Sequence, residues 1–318
     1  MVSGKNIFIS ALDWGLGHAT RCVPIIKTLE KHNQILIGVT PGTKFIFQET
    51  FPHLKTVELP AYNIRYSKYL PVWLKVLFDW PRINALISKE GIVLKEIIQQ
   101  HQINYIISDN RFGLYSKDVY SVFITHQLFI QSPILKRLAQ FINKKFILHF
   151  HEVWVPDYAD EKISLSGKLS HGNQFHSNVK FIGPLSRLTK SQNSLIQYDY
   201  LVMLSGPEPL HTQFAEHMEK YATSSTSLRF AFISSLVKVQ EKTNIAMFYQ
   251  ADAFEIANLI SQSTKVICRS GYSSLMDLHH LEKKNIILFP TKGQTEQEYL
   301  AKYWCKYFGA EIFDLKKL

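Results

Sequence analysis

The run from Val266 to Leu278 constrains the fold more than any other stretch of the chain. Val266 and Ile267 are apolar, as the end of a buried strand is. Cys268 lies at the strand end beside Arg269, the chain then turns tightly at Gly271, and Tyr272-Ser273-Ser274-Leu275-Met276-Asp277-Leu278 reads as the first turns of a helix. Ser270 and Ser273 are residue types that cap helix starts, and Gly271 lets the backbone turn with no side chain in the way. Such a corner presents backbone N–H groups and the positive end of a helix dipole, which suits a phosphate. Asp277 lies further along the same helix, where its carboxylate could accept both hydroxyls of a ribose. The same residues also fit an ordinary strand-to-helix corner.

Two more stretches in the same half repeat the pattern. Phe289-Pro290-Thr291-Lys292-Gly293-Gln294-Thr295-Glu296-Gln297-Glu298-Tyr299 is strand, turn and polar-fronted helix. Gln294, Gln297 and Glu298 supply amide and carboxylate groups where a sugar's hydroxyls could be read. Tyr200-Leu201-Val202-Met203-Leu204 is a buried strand that runs into Ser205-Gly206-Pro207. Strands that alternate with helices imply a parallel sheet, and the loops at its carboxyl ends converge on the ligand. The expected donor contacts are Ser205, Gly206, Arg269, Ser270, Gly271, Tyr272, Ser273, Asp277, Gln294, Gln297 and Glu298. Pro207 and Pro209 lack an N–H, so the turn at Ser205 and Gly206 has fewer backbone donors for a phosphate.

The run from Cys268 to Leu278, with the later Gln294-Thr295-Glu296-Gln297-Glu298-Tyr299, resembles the carboxyl-terminal donor-binding domain of GT-B glycosyltransferases. The likeness is strongest to bacterial enzymes that add N-acetylglucosamine to a lipid-linked peptidoglycan precursor. It extends to the amino-terminal Gly15-Leu16-Gly17-His18 loop, where Gly17-His18 matches most closely and Asp13 and Trp14 replace small residues. The resemblance implies an α/β chain of two Rossmann-like domains facing across a cleft. It implies that Asp277 holds a ribose, and that Gln297 and Glu298 stand where the family reads the donor sugar with an amide pair. It also implies inverting transfer without a metal, from a nucleotide sugar, here a UDP-sugar, to an acceptor hydroxyl.

At 318 residues the chain can hold two domains with separate cores. The expected division is 1–185 for the acceptor side and 186–318 for the donor side, because residues 186–197 are polar and unpatterned. No apolar run is long enough to cross a bilayer, and the start does not read as a signal peptide. With three cysteines and no C-x-x-C spacing, reduced thiols and a cytoplasmic location are expected. The net charge is +10, but the cations are scattered and no nucleic-acid module is present. Anionic membrane or phosphorylated small molecules fit that charge better.

In the first half, Asn6 to Leu12 reads as a strand, Asp13 to His18 as a glycine-bearing loop, and Ala19 to Lys31 as a helix. His18 is the candidate general base or phosphate contact, since imidazole takes up a proton near neutral pH; a structural histidine at a helix start fits too. Tyr105 to Ser108 is a buried strand that delivers Asp109-Asn110-Arg111 to the functional edge. Asp109 could orient an acceptor hydroxyl, partner His18, or pair with Arg111. Asp13, Trp14, Gly17, Arg111 and His126 complete the acceptor side. Trp73, Leu77, Phe78 and Trp80 exceed a single helical stripe, which suits either a peripheral contact with the cytoplasmic membrane face or a packed helix. His149 and His151 alternate on an expected strand, Phe150 to Asp157, with no third ligand at metal spacing. No Asp-x-Asp occurs, which is consistent with the metal-independent transfer that the resemblance implies, and no metal or other cofactor is expected. Two other readings remain: a non-hydrolysing nucleotide-sugar 2-epimerase, and a non-catalytic subunit that binds donor or lipid.

Overall fold

A computed structural model of the chain describes residues 2–63, 72–131, 136–173, 178–190 and 195–314, with the side chains of 72, 73 and 76 left aside. They form two compact units, one of residues 2–63 and 76–185, the other of 72–75 and 186–314. The first is built on seven parallel strands: β1 (Asn6–Ala11), β2 (Gln34–Val39), β3 (Lys55–Glu58), β4 (Tyr105–Asp109), β5 (Tyr120–Ile124), β6 (Glu152–Val155) and β7 (Val179–Phe181). Their spatial order is β3-β2-β1-β4-β5-β6-β7.

Parallel strands need crossovers, and here helices supply most of them: α1 (Leu16–Leu29), α2 (Lys44–Thr50), α3 (Val72–His101) and α4 (Lys136–Ile147). β1 is buried on both faces, as a central parallel strand is. Ile7 and Ile9 pack with Ala19, Cys22, Val23 and Ile26 of α1, a helical stripe of one face. Phe8, on the opposite face of the pleat, packs with Leu94 and Ile97 of α3.

The second unit repeats the plan with six parallel strands in the order β10-β9-β8-β11-β12-β13. They are β8 (Tyr198–Met203), β9 (Phe230–Ser234), β10 (Ile245–Tyr249), β11 (Ser263–Cys268), β12 (Ile286–Leu288) and β13 (Glu311–Ile312). Helices α5 (Leu210–Ser224), α6 (Ala253–Ser261), α7 (Tyr272–His280) and α8 (Thr295–Tyr307) join them. Val202, Phe214, Met218, Phe230, Phe232 and Ile267 form one core cluster. No helix among the described residues is long and apolar enough to cross a membrane.

Several expectations need correction. α1 starts at Leu16, so His18 lies inside its first turn rather than before it. The strand expected over Phe150 to Asp157 is only Glu152–Val155, because His149 and His151 are taken up elsewhere. His149 stacks on Tyr115 at 4.6 Å, while the His151 Nδ1 accepts from the Ser121 N–H at 3.1 Å. The polar stretch after Lys162 is organised around Asp157, which is wholly buried. Asp157 accepts from the hydroxyls of Ser164, Ser166 and Ser170 and from the N–H groups of Tyr158, Leu165 and Ser166. Gly271 has φ −75°, an ordinary extended conformation, so its backbone does not require glycine.

Two glycines separate backbone need from space. A Cβ on Gly113 would collide with the Ile87 carbonyl oxygen and with Glu90, where α3 crosses the loop after β4; one on Gly271 meets nothing within 4 Å. Gly113→Ala should therefore lower stability in urea unfolding by about 1–3 kcal/mol. Gly271→Ala should stay within about 0.5 kcal/mol of the parent.

Candidate active site

In an open parallel sheet the chain leaves neighbouring strands in opposite directions at the switch point, which opens a crevice at their carboxyl ends. In the first unit β1 pairs with β2 on one side and β4 on the other, so the switch point carries the loop from Asp13 to His18 and the end of β4. Gly15 is the N-cap of α1 at φ 124°, a conformation that L side chains rarely adopt. It turns the chain so that His18 faces Asp109. The His18 Nδ1 lies 2.7 Å from Asp109 Oδ1. Asp109 is completely buried, while the His18 side chain keeps 20% of its surface exposed.

Arg21, one turn along α1 and also buried, grips both Asp109 oxygens through Nε and Nη2. Burial pushes the Asp109 carboxyl upward, but the charges and hydrogen bonds of Arg21 and His18 outweigh it and hold the group below its ordinary value. An ionised carboxylate only accepts, so the Nδ1 of His18 carries the proton and Nε2 keeps a lone pair. That nitrogen makes no hydrogen bond among the described residues. An oriented imidazole with a free lone pair and a buried carboxylate behind it is competent to take a proton from a hydroxyl.

The other acceptor-side residues are placed as follows. The Asp13 carboxylate accepts from the Tyr62 N–H at 3.1 Å, and Trp14 packs against Leu12, Tyr62, Ile83 and Ile87. The Gly17 carbonyl accepts from the Thr20 hydroxyl at 3.1 Å, within the first turn of α1. His126 is buried beside Arg21, its Nδ1 3.2 Å from Nη1. Arg111 does not pair with Asp109 and, being wholly buried, has no face to offer an acceptor. It donates to Glu90 at 2.7 Å and to the Pro60 carbonyl at 2.6 Å, and sits over the Tyr62 ring. Burial still raises the Glu90 carboxyl above its ordinary value despite Arg111, the Tyr62 hydroxyl and the Gly113 N–H. Leu77 and Phe78 are exposed, Trp80 packs edge-on against Phe146, and the Trp73 side chain lies outside the described residues.

In the second unit β8 and β11 form the switch point. Gly206 has φ 101°, and its carbonyl faces the buried His211 Nδ1 at 3.1 Å. Arg269 is also buried and is engaged within the protein. It bonds the Thr291 hydroxyl and the Leu210 carbonyl and lies over the Phe214 ring. Ser270 does not cap α7, because its hydroxyl donates to the Gln297 carbonyl at 2.7 Å. The N-cap is Gly271, with no side-chain cap. Tyr272, the first residue of α7, is buried, and Ser273 is half-buried. Ser205, next to Gly206, is also half-buried.

Asp277 accepts from the Ser186 hydroxyl at 2.5 Å. Burial raises its carboxyl to about 6, against the Ser186 hydrogen bond and the charge of Arg187. The Gln297 side-chain oxygen is taken by the Thr291 N–H at 3.0 Å, and a Glu298 oxygen by the Gly293 N–H at 2.7 Å. The side chain of Gln294, N-cap of α8, makes no such bond among the described residues.

No protein-family profile matches this sequence, and no curated protein matches it either. Solved structures do. The calicheamicin glycosyltransferase CalG4 superposes with a TM-score of 0.66 at 12% identity, over 98% of this chain and 86% of that one. The fold is GT-B. The spinosyn rhamnosyltransferase SpnG, complexed with thymidine diphosphate, gives 0.64 at 10% identity over 98% and 89%. MurG of Acinetobacter baumannii gives 0.54 at 10% identity over 98% and 86%. The GT-B plan accounts for two Rossmann-like units with the same strand order.

Sequence reasoning missed Arg21 and Ser186. Arg21 had a signal, since three residues after His18 on a helix is the same face; Ser186 had none. The Arg21–Asp109 contact yields a stability prediction. Asp109→Asn leaves a buried guanidinium without its counter-ion and should cost about 3–5 kcal/mol in urea unfolding. In the parent the carboxyl is held low. Its stabilisation is therefore full above the ordinary carboxylate range and lost as pH falls through the folded value.

Proposed function

We propose that this chain is a glycosyltransferase that moves a sugar from a nucleotide sugar, a UDP-sugar, to an acceptor hydroxyl, without a metal and with inversion. The observation that carries the reading is the 2.7 Å contact between His18 and Asp109, which leaves Nε2 as a base. His18 Nε2 takes the proton of the acceptor hydroxyl. The freed oxygen attacks the anomeric carbon from the face opposite the diphosphate, whose bond to that carbon breaks. Asp109 stabilises the imidazolium, and the diphosphate departs with the bonding pair. A positioned base of this kind contributes about 10²–10⁴-fold.

On the donor side, the uncapped start of α7 at Gly271 would meet the developing phosphate charge with N–H groups and helix dipole. The open space at Gly271 leaves room for the phosphates to approach the backbone. Asp277 would accept the ribose hydroxyls, and Gln294 would read the sugar. In this reading Gln297 and Glu298 shape the loop, since their side chains hold the N–H groups of Thr291 and Gly293. The solved structures with UDP-L-rhamnose and with UDP-2-fluoroglucose bound support a nucleotide-sugar donor.

For the acceptor we propose a lipid-linked hydroxyl reached at the cytoplasmic membrane face. Exposed Leu77 and Phe78 on α3 support it, as do exposed Leu138 and Phe141 on α4 among Lys136, Arg137, Lys144 and Lys145.

Calorimetric titration with UDP, GDP, TDP and ADP tests the donor site. UDP should bind selectively and Asp277→Ala should lose it; binding of none of the four would sink the reading. Ribose hydroxyls bind the ionised carboxylate, whose pKa is raised to about 6, so affinity should rise with pH through that value. Below it, UDP-glucose affinity should fall towards about tenfold per pH unit, and Asp277→Asn should flatten the profile. UDP-glucose is the probe because its diphosphate does not itself titrate there. His18→Ala should lower turnover in an acceptor screen by about 10²–10⁴-fold with donor affinity unchanged. Loss of donor binding instead would move His18 to the phosphate.

A further inference from the structure

Three side chains at the carboxyl ends of β1, β4 and β5 converge on one guanidinium. Arg21 Nε and Nη2 hold Asp109, Nη2 lies 2.9 Å from His18 Nδ1, and Nη1 lies 3.2 Å from His126 Nδ1. We infer that the Arg21–Asp109 pair fixes the two histidines in opposite tautomers, His18 with its proton on Nδ1 and His126 with its proton on Nε2. The consequence for catalysis rests on the glycosyltransferase reading above; the tautomers themselves do not.

A guanidinium has five N–H groups and no lone pair to give, so a ring nitrogen that hydrogen-bonds to it with no acceptor competing must offer one. The Nδ1 of His126 is therefore unprotonated, and the proton of the neutral ring sits on Nε2. For His18 three groups meet at the same nitrogen: Asp109 Oδ1, Arg21 Nη2 and, farthest at 3.5 Å, the Asn110 Nδ2. Asp109 Oδ1 is the nearest, at 2.7 Å, and is purely an acceptor, so an unprotonated Nδ1 would set two lone pairs against each other. The Nη2 of Arg21 is already served by that same oxygen. The proton therefore lies between Nδ1 and Oδ1.

The backbone holds both rings in place. The Leu12 N–H donates to the Asp109 carbonyl at 2.9 Å, and the Thr125 N–H to the Trp154 carbonyl at 3.1 Å. The Thr125 hydroxyl accepts from the Gln127 N–H at 3.1 Å on the other side of His126.

The two imidazoles are then not interchangeable. His18 presents a lone pair at Nε2 and can take a proton; His126 presents an N–H there and can only donate. His126 is thereby excluded as a second base. Arg21 is a positioning residue that touches no substrate and sets what each ring can do.

Long-range ¹H–¹⁵N spectra of the ¹⁵N-labelled full chain test this without any substrate. They are recorded at about pH 8, above the ordinary imidazole range. His18→Gln and His126→Gln, each removing one ring's signals, supply the assignment. Each ring should hold its stated tautomer in at least about tenfold excess, as one net hydrogen bond gives. In folded Arg21→Met, the His126 pattern should average between tautomers. If Arg21→Met does not fold, Arg21→Lys serves, because one ammonium cannot span both Asp109 oxygens and His126; the same averaging of His126 is expected. A proton on Nδ1 of His126 in the parent overturns the inference. So does an unchanged His126 pattern in a folded Arg21 variant. Either result leaves the donor titration standing, and failure of that titration leaves the tautomers standing.

Discussion

Parallel pairing on both sides of β1, and again on both sides of β8, is the constraint on which every functional feature depends. From β1 the chain crosses to β2 on one side, and from β4, on the other side of β1, it crosses away to β5, so the two crossovers leave in opposite directions. The loops at the carboxyl ends of these strands cannot close over each other, and side chains placed there meet across the gap rather than along the chain. His18 and Asp109 are 91 residues apart in sequence and 2.7 Å apart in space for this reason. The same geometry in the second unit sets the turn at Gly206 beside Arg269 and the start of α7.

Burial then decides which charged groups hold structure and which remain available for chemistry. Arg111 and Arg269 each lie next to residues of a candidate site, yet both are buried and donate to oxygens of the protein itself. A guanidinium so engaged cannot reach a substrate without leaving those oxygens unpaired, at a cost of about 1–3 kcal/mol for each. His18 and Gln294 differ because a ring nitrogen of the one and the side chain of the other stay unengaged among the described residues. Asp277 stands between these cases. It keeps one hydrogen bond, to Ser186, and a raised pKa, so it would gain from further donors.

The strands were the most legible part of the sequence. Gln34–Val39 has the expected bounds, and β1 differs from expectation by a residue, because unbroken apolar runs mark central parallel strands. Helices α2 and α4 escaped the reading. α2 is only two turns long, and α4 carries six apolar residues among four cations, with Leu138 and Phe141 exposed. His18, Asp109 and Asp277 were legible as residues at strand ends and helix starts. What they bond to was legible only in part. Arg21 looked like one of 36 cations, and Arg111, two residues from Asp109, seemed the natural partner. Proximity in sequence misled because β4 ends at Asp109 and the chain turns at Asn110, whose φ is 55°. Arg111 therefore leaves the strand and turns to the α3 side, where it donates to Glu90.

The strand order also dictates a sequence of events during synthesis. β1 is flanked by β2, made almost at once, and by β4, whose Tyr105 pairs with Ile7. Its central position stays half-filled until nearly a hundred further residues have been added, so long-range pairing governs how fast this unit can form. Once Val179–Phe181 docks onto β6 the first sheet is complete, before β8 has emerged. The first unit can therefore fold on the ribosome while the second is still being translated, and each half faces its slow pairing step separately.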